Sequence, residues 1–263
     1  MWYRLALTLI DPSGQINFSD MGKGKLDFND LSYKIKYLGK KLVERYGRID
    51  TYRIEVYAPG SKKYIGHLDF GYDESSNSIT IILVQVFDIE VGKDTFISSL
   101  GRGISTKLYE KMLEYINSDL KLSNAEYMVS NIHSLQTHKA QNRVFGKPEA
   151  IGKHQDYETA FRNLMIAQRS LDQLLEFDKK QPGRFEENIA ETQKEIELLK
   201  KLLKHLSIDE DTALKTLIPS EWSEMGSDLG GEAFDTVHRI PKISKETKVK
   251  EKDPNQKELF DVV

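Results

Sequence analysis

The order of apolar and polar positions predicts two elements at the start of the chain. A mostly apolar run at residues 2–10 ends in a turn-forming cluster at 11–14, which indicates a strand. Asn29 or Asp30 is placed to cap a helix that Gly47 ends. The apolar residues of this predicted helix recur every three or four positions: Leu31, Ile35, Leu38, Leu42 and Val43.

Three strand-like segments then follow in close succession. Apolar and polar residues alternate from Tyr52 to Val56, and residues 64–72 are rich in apolar side chains. Residues 78–89 form a nearly continuous β-branched run, which is typical of a central strand covered on both faces. The short turns between these segments predict an antiparallel meander.

The period changes after a glycine turn, Gly101-Arg102-Gly103. A helix is predicted there, with Ile104, Leu108, Met112, Leu113 and Ile116 on one face. A short strand at 125–129 and a helix at 134–145 complete the order β-α-β-β-β-α-β-α. We assign residues 1–150 to one α/β domain.

The remaining sequence has a different pattern. Two heptad-like seams joined by a Pro-Gly turn predict an antiparallel helical hairpin at residues 151–207. The first seam is Phe161, Leu164, Gln168, Leu171 and Leu175, and the second is Ile189, Thr192, Ile196, Leu199, Leu203 and Leu206. We expect an irregular segment at 208–240. Residues 241–263 are rich in Lys and Glu and poor in apolar residues, which predicts a disordered tail.

Composition narrows the classes of function. The 263 residues carry a net charge of −3, which argues against nucleic-acid binding over the whole surface but leaves a local basic patch open. The chain has no cysteine, which excludes disulfides, thiolate metal sites and a cysteine nucleophile. No His, Asp or Glu set has metal-ligand spacing, so we expect no metal. The first apolar run is too short to span a membrane and lacks a signal-peptide cleavage site, so we expect a cytoplasmic protein.

The glycine turn has the features of a site for an anion. Glycine lets the backbone approach a ligand closely, and the first turn of a helix presents unpaired N–H groups and the positive end of its dipole. Arg102 and Lys107 add positive charge nearby. One interpretation is that the amides of residues 102–106 bind phosphate; the other is that the glycines only shape a loop.

These segments resemble the GNAT superfamily of N-acetyltransferases over residues 1–147. The family signature, R/Q-x-x-G-x-G/A, aligns with residues 100–105: Gly103 matches, Leu100 replaces the basic or amide residue, and Ser105 replaces the last small residue. Residues 130–132 and Ala140 loosely resemble the family's following strand and helix. The resemblance implies a central mixed, mainly antiparallel sheet with flanking helices. It also implies acetyl coenzyme A bound by Phe87, Gly101, Arg102, Gly103, Ile104, Ser105 and Thr106.

The same resemblance implies acetyl transfer to an amine acceptor, which the sequence does not identify. The amine must lose a proton before it attacks, and Asp88 and Glu90, at the end of the central strand, are the candidate bases. The alternative is that both are solvated strand-end carboxylates. The resemblance further implies that a backbone N–H near Phe87 polarises the thioester carbonyl. The tyrosine that many members use as a general acid has no clear match, since Val144 and Phe145 stand there.

The histidines have two interpretations. His133 and His138 are suited to acid or base chemistry near neutral pH, but each also fits a surface or helix-cap position. His67, alone on a predicted strand, fits a structural role.

The last residues contain a second motif. Gln256-Lys257-Glu258-Leu259-Phe260 resembles the Q-x-[DES]-L-F peptide by which replication and repair proteins bind the sliding clamp. Gln256, Leu259 and Phe260 are the expected partner-binding residues, while Lys257 replaces the favoured leucine. The chain therefore has an alternative function as a catalytically inactive GNAT-fold protein recruited to replication machinery. A third possibility is an interaction protein that assembles through its helical hairpin.

Overall fold

The computed structural model describes residues 31–59, 63–87, 89–92, 95–97, 103–217 and 233–242. Nine strands and five helices lie in these ranges. The strands are β1 Ser32–Val43, β2 Gly47–Tyr57, β3 Tyr64–Asp73, β4 Ser78–Val86, β5 Ile89–Gly92, β6 Thr95–Ile97, β7 Tyr127–Ile132, β8 Ala150–Lys153 and β9 Phe234–Arg239. The helices are α1 Ile104–Ser118, α2 Leu135–Phe145, α3 Asp156–Lys180, α4 Glu186–Leu206 and α5 Glu210–Thr216.

Seven of these strands form one open sheet in the order β1-β2-β3-β4-β7-β9-β8. All neighbouring pairs are antiparallel except β4 and β7, which run parallel. Strands β5 and β6 form a separate two-stranded sheet between β4 and α1. The α/β class and the mainly antiparallel sheet with helices are as the sequence predicts.

The predicted helix between Asn29 or Asp30 and Gly47 is wrong, because this segment forms strand β1. Tyr33, Ile35 and Tyr37 alternate with lysines at a period of two, and this alternation outweighed the helical spacing of the leucines. Gly39, at a φ of 86°, lies where the register against β2 shifts, so the apolar pattern changes phase within the strand. Gly47 begins β2 instead of ending a helix.

The later elements of the first domain follow the sequence prediction more closely. Strands β2, β3 and β4 form the expected antiparallel meander. Helix α1 begins after Gly103 with the predicted apolar face buried, and β7 lies two or three residues beyond the predicted strand. Helix α2 is present, with the Ser134 hydroxyl accepting the N–H of Thr137 as its cap.

The two faces of the sheet are covered by different helices. Helices α1 and α2 share one core with strands β2, β3, β4 and β7. On the other face, Tyr157, Phe161 and Leu164 of α3 pack against Val129 and Val237 and join a core with α4. The sheet therefore has an apolar layer on each face, and β7 contributes to both, through Met128 on one face and Val129 on the other.

The segment expected to be irregular, residues 208–240, contributes α5 and β9. Strand β9 lies between β7 and β8, so the sheet is completed by residues from far along the chain. Helices α3 and α4 lie in the predicted helical region, are joined through residues 181–185 and contact each other. The hairpin arrangement and the division into domains stay predictions.

Several sequence predictions fall outside the described residues. These are the strand at 2–10 and all but the first two residues of the tail at 241–263, including Gln256, Leu259 and Phe260. None of the helices in the described ranges is both long enough and apolar enough to cross a membrane.

Candidate functional site

Two parallel strands separate near the middle of the sheet. Among the described residues, β4 and β7 pair at three positions, Ser78–Thr80 against Tyr127–Val129, all at the amino ends of the strands. Beyond these pairs, β4 continues along β3 to Val86, and β7 continues along β9 to Ile132. We call the opening between residues 81–86 and 130–132 the β4/β7 cleft. In open sheets, ligands bind at the carboxyl ends of neighbouring parallel strands, which is where this cleft opens.

The side chains of β4 change from buried to exposed where the cleft begins. Ser78, Ile79 and Thr80 are buried, whereas Ile82 and Leu83 are 41% and 39% exposed. Phe87, just after the strand, is also 39% exposed. A central strand with exposed apolar side chains is unusual, and the exposure begins just beyond the last residue of β4 that pairs with β7.

The amide expected to polarise a thioester is not available at Phe87. The Phe87 N–H donates to the Ile65 carbonyl at 2.8 Å, so it is already part of the β3–β4 pairing. Backbone groups alternate in direction along a strand, which directs the N–H of Val86 away from β3 and toward the cleft. Val86, one residue earlier than Phe87, is therefore the better donor in this region.

Helix α1 connects the parallel strands β4 and β7, and a crossover helix of this kind starts on the side of the carboxyl end of the first strand. Its first residue, Ile104, is buried in the same core that Val84 and Val86 join from β4. Gly103, the residue before the helix, has a φ of 72° and provides no side-chain cap. The first helical bond runs from the Lys107 N–H to the Gly103 carbonyl. The N–H groups of Ile104, Ser105 and Thr106 thus have no acceptor within the helix.

The structure describes only part of the predicted site. Asp88, Gly101 and Arg102 lie outside the described residues, and for Glu90 only the backbone, in β5, is described. The assignment of Asp88 and Glu90 as bases stays a prediction. Ser105 and Thr106 are half-buried in the first turn of α1, and Ile104 contributes its side chain to the core. Of the predicted cofactor-binding set, the structure brings Gly103, Ile104, Ser105 and Thr106 to one helix terminus.

A histidine–carboxylate pair lies at the carboxyl end of β7 and was not identified from the sequence. His154 Nδ1 is 3.0 Å from Asp235 Oδ1, and the Asp235 side chain is buried. The His154 side chain is 32% exposed. Asn131, on β7, contacts both members: its Nδ2 donates to Asp235 Oδ1 at 3.1 Å and also contacts His154 Nδ1.

Three features of the backbone hold this pair together. Gln155, between β8 and α3, has a φ of 72°, an unusual conformation for a residue with a side chain. The Glu158 N–H in the first turn of α3 donates to Asp235 Oδ2 at 3.0 Å. A helix N-terminus favours negative charge, so Asp235 supplies the cap that the Gln155 side chain does not. Gly152, opposite Asp235 in the β8–β9 register, lets this turn pack closely against the sheet.

The other histidines occupy different environments. His138 is not at the surface or a helix cap: it is buried in α2, 2.9 Å from Glu210 of α5. It joins α2 to α5 and is a structural residue. His67 is buried on β3 near Phe87, none of the described residues gives either ring nitrogen a hydrogen-bond partner, and burial lowers its pKa. His133 is exposed, and its ring centroid lies 6.1 Å from that of His154.

Tyr109 does not replace the missing general acid. Tyr109 of α1 is fully buried, and its hydroxyl accepts a hydrogen bond from Gln141 at 3.0 Å. Gln141 also donates to the Ser130 hydroxyl of β7. Burial raises the pKa of Tyr109 to about 12, so its hydroxyl keeps its proton near neutral pH. This network fixes α1 and α2 against β7 and has no direct chemical role.

A surface hollow of about 660 Å³ lies at the opposite end of the central strands. Glu126, Arg239 and Lys242 line it, near the amino end of β7 and the carboxyl end of β9. The Lys242 ammonium donates to the carbonyls of Ser123 and Ala125. This cation is therefore already bonded to backbone carbonyls, and the Arg239 guanidinium donates to Glu149 and to the Tyr127 hydroxyl.

The described ranges contain no group of three or more His, Asp or Glu side chains arranged to hold a metal ion. The sequence does not predict the pair of His154 and Asp235, because the two residues are 81 positions apart along the chain. His154 follows β8 and Asp235 lies within β9, and the sequence predicts neither strand. A comparison with models of known protein families gives no match for this chain, and a comparison with curated proteins gives none either.

Proposed function

We propose that the protein is a GNAT-fold acyltransferase that transfers an acetyl group from acetyl coenzyme A to an amine acceptor. The observation that carries this proposal is the separation of β4 and β7 after three pairs, at the sheet edge where α1 begins. Such an opening between parallel strands admits an extended ligand to the edge of both strands. The GNAT resemblance of residues 100–105 supports the same assignment.

The residues at the start of α1 fit the pyrophosphate of coenzyme A. The N–H groups of Ile104, Ser105 and Thr106 are without intrahelical acceptors, and the helix dipole favours an anion there. No acidic side chain lies in the first turn of α1 to oppose a negative ligand. Apart from its two chain neighbours, none of the described residues has an atom within 4 Å of the position that a Cβ on Gly103 would occupy.

The bound thioester supplies an activated acyl group, and the protein's part is to hold it and the amine. We assign the Val86 N–H, in place of Phe87, as the donor to the thioester carbonyl, because it points into the β4/β7 cleft. A positioned N–H in a water-poor cleft stabilises negative charge that develops on a carbonyl oxygen. Ile82 and Leu83 are exposed on β4 and offer apolar surface that the uncharged part of the bound ligand would cover.

We also propose a sliding clamp as a partner, bound through Gln256, Leu259 and Phe260. This proposal is supported by the terminal sequence motif alone. It is compatible with acyl transfer, because the motif lies more than 150 residues along the chain from Gly103.

The experiment compares coenzyme A binding by the wild-type protein with binding by two glycine variants. Gly103→Ala and Gly183→Ala both place an alanine at positive φ, 72° and 83°, in open surroundings. Each is therefore expected to lose about 1–2 kcal/mol of stability from backbone strain alone. Gly183 lies in the connection from α3 to α4 and serves as the matched control.

Isothermal titration calorimetry should show that wild-type protein and Gly183→Ala bind coenzyme A alike, whereas Gly103→Ala binds at least about tenfold more weakly. Wild-type protein that gives no heat at millimolar coenzyme A would make the cofactor assignment wrong. Equal affinity in all three proteins would remove the α1 terminus from the site. Transfer is measured as thiol release, because the chain has no cysteine to add background.

A further inference from the structure

The described chain has a proton-accepting group at the carboxyl end of β7 that the GNAT resemblance did not identify. His154 and Asp235 come from opposite ends of the α3–α4–α5 segment, after β8 and within β9. Both reach Asn131 of β7. This places the pair at the sheet edge where the β4/β7 cleft opens, whereas Asp88 and Glu90 follow β4 in the sequence.

We propose that His154, oriented by Asp235, is the base that takes the proton from the acceptor amine. This inference rests on the proposed acyl transfer. Asp235 is a positioning residue, since it touches His154 and no reacting atom. The step is balanced as follows: His154 Nε2 takes one proton from the ammonium R–NH3+, and the freed lone pair forms the C–N bond to the acyl carbon. The C–S bond breaks, and the sulfur leaves with the second amine proton as the thiol.

The hydrogen bonds around Asp235 favour the form of His154 that this step needs. Asp235 Oδ2 accepts the Glu158 N–H, and Oδ1 accepts Asn131 Nδ2 and faces His154 Nδ1. A carboxylate has no proton to donate, so its contact with Nδ1 requires an Nδ1–H donor. The neutral ring then carries its lone pair on Nε2, for which none of the described residues supplies a hydrogen-bond partner.

The contact between Asn131 Nδ2 and His154 Nδ1 is compatible with the other tautomer of the His154 ring. If Nδ1 accepted a hydrogen bond from Asn131 Nδ2, the proton of the neutral ring would lie on Nε2. His154 would then have no lone pair facing solvent and would be unable to take a proton there. The tautomer that is present therefore distinguishes a catalytic base from a purely structural histidine.

The first test measures the tautomer, which is independent of activity. Nitrogen-15 shifts and long-range couplings of the His154 ring at neutral pH should show Nδ1–H with an unprotonated Nε2 in the wild-type protein. Asp235→Asn should shift the ring toward the other tautomer. An Nε2–H ring in the wild-type protein would overturn the inference, whether or not an acceptor amine has been found.

The second test measures catalysis. His154→Gln should lower kcat by about 10²-fold or more while the KM for acetyl coenzyme A changes little. His154→Ala should regain part of this loss in added imidazole, which a structural role would not allow. His205→Gln, at an exposed position on α4, is the control. The pH–rate profile of Asp235→Asn should differ from that of the wild type. The titratable residues near His154 are Asp235 on β9, His133 just after β7, Lys153 on β8 and Asp156 on α3.

The outcomes of the two proposals are distinguishable. Failure of the wild-type protein to bind coenzyme A counts against the proposed function and leaves the tautomer result to decide on His154. Binding and transfer with His154→Gln as active as the wild type would contradict the inference alone. If Asp88→Asn or Glu90→Gln loses transfer while His154→Gln keeps full activity, the base is Asp88 or Glu90 and not His154.

Discussion

Gly152→Ala is the substitution that most directly tests how the His154–Asp235 pair is held. A Cβ at Gly152 would lie 2.0 Å from Tyr157 Cδ2, 2.2 Å from Cγ and 2.6 Å from Cβ. Carbon atoms pack at about 3.5 Å or more, so a shift of roughly 1.5 Å is needed. The Tyr157 Cβ is itself too close, which means that turning the ring is not sufficient. The first turn of α3 must move, and the Glu158 N–H moves with it, away from Asp235.

The expected cost is at the upper end of the range for overpacking, about 3 kcal/mol of unfolding free energy. For a chain of this size that corresponds to a loss of roughly 6–12 °C in Tm. Gly71→Ala is the matched control: its Cβ would lie 2.3 Å from Ile49 Cδ1, the end of a flexible side chain that is able to turn away. We expect it to cost about 1 kcal/mol.

Urea unfolding followed by circular dichroism gives both free energies. A second readout is the Glu158 amide, whose hydrogen exchange should accelerate in Gly152→Ala and stay unchanged in Gly71→Ala. Equal stability losses in the two variants, or a Gly152→Ala cost below about 0.5 kcal/mol, would refute the close packing of α3 on β8.

Two further predictions concern other parts of the chain. Burial lowers the pKa of His238 from 6.5 to about 4, so below pH 6.5 the unfolded chain takes up a proton that the folded one does not. The free energy of unfolding is therefore full above pH 6.5 and falls by up to about 3 kcal/mol as the pH approaches 4. In urea unfolding experiments, the free energy of unfolding of His238→Phe should fall less steeply with pH in this window than that of the wild type. Changing Leu259 and Phe260 together to alanine should abolish co-purification with a sliding clamp while coenzyme A binding is unchanged; retained co-purification would reject the motif.

The sequence predicted the elements whose pattern is local. The β2–β3–β4 meander follows from short turns between apolar runs, and α1 follows from a helical face that begins after Gly103. Strand β1 was mistaken for a helix because its leucines happen to fall at helical spacing, while the period-two alternation of Tyr33, Ile35 and Tyr37 carried the correct information.

The pairings between distant segments could not be derived from local pattern. Strand β9 has only Phe234 and Val237 as apolar residues among its six, and only the sheet shows that it lies between β7 and β8. The same holds for the candidate site. His154 and Asp235 become neighbours because β8 and β9 pair in the register Gly152 with Asp235, which no periodicity in either segment specifies.

The most direct test of the central claim is amide hydrogen exchange of the wild-type protein with and without coenzyme A. We predict protection at Val86 on β4 and at Ile104, Ser105 and Thr106 at the start of α1, with no change at Arg239, Ile240 and Lys242 at the opposite end of the central strands. Protection confined to that opposite end, or none at either place under saturating coenzyme A, would contradict the assignment of the β4/β7 cleft as the acyl-donor site.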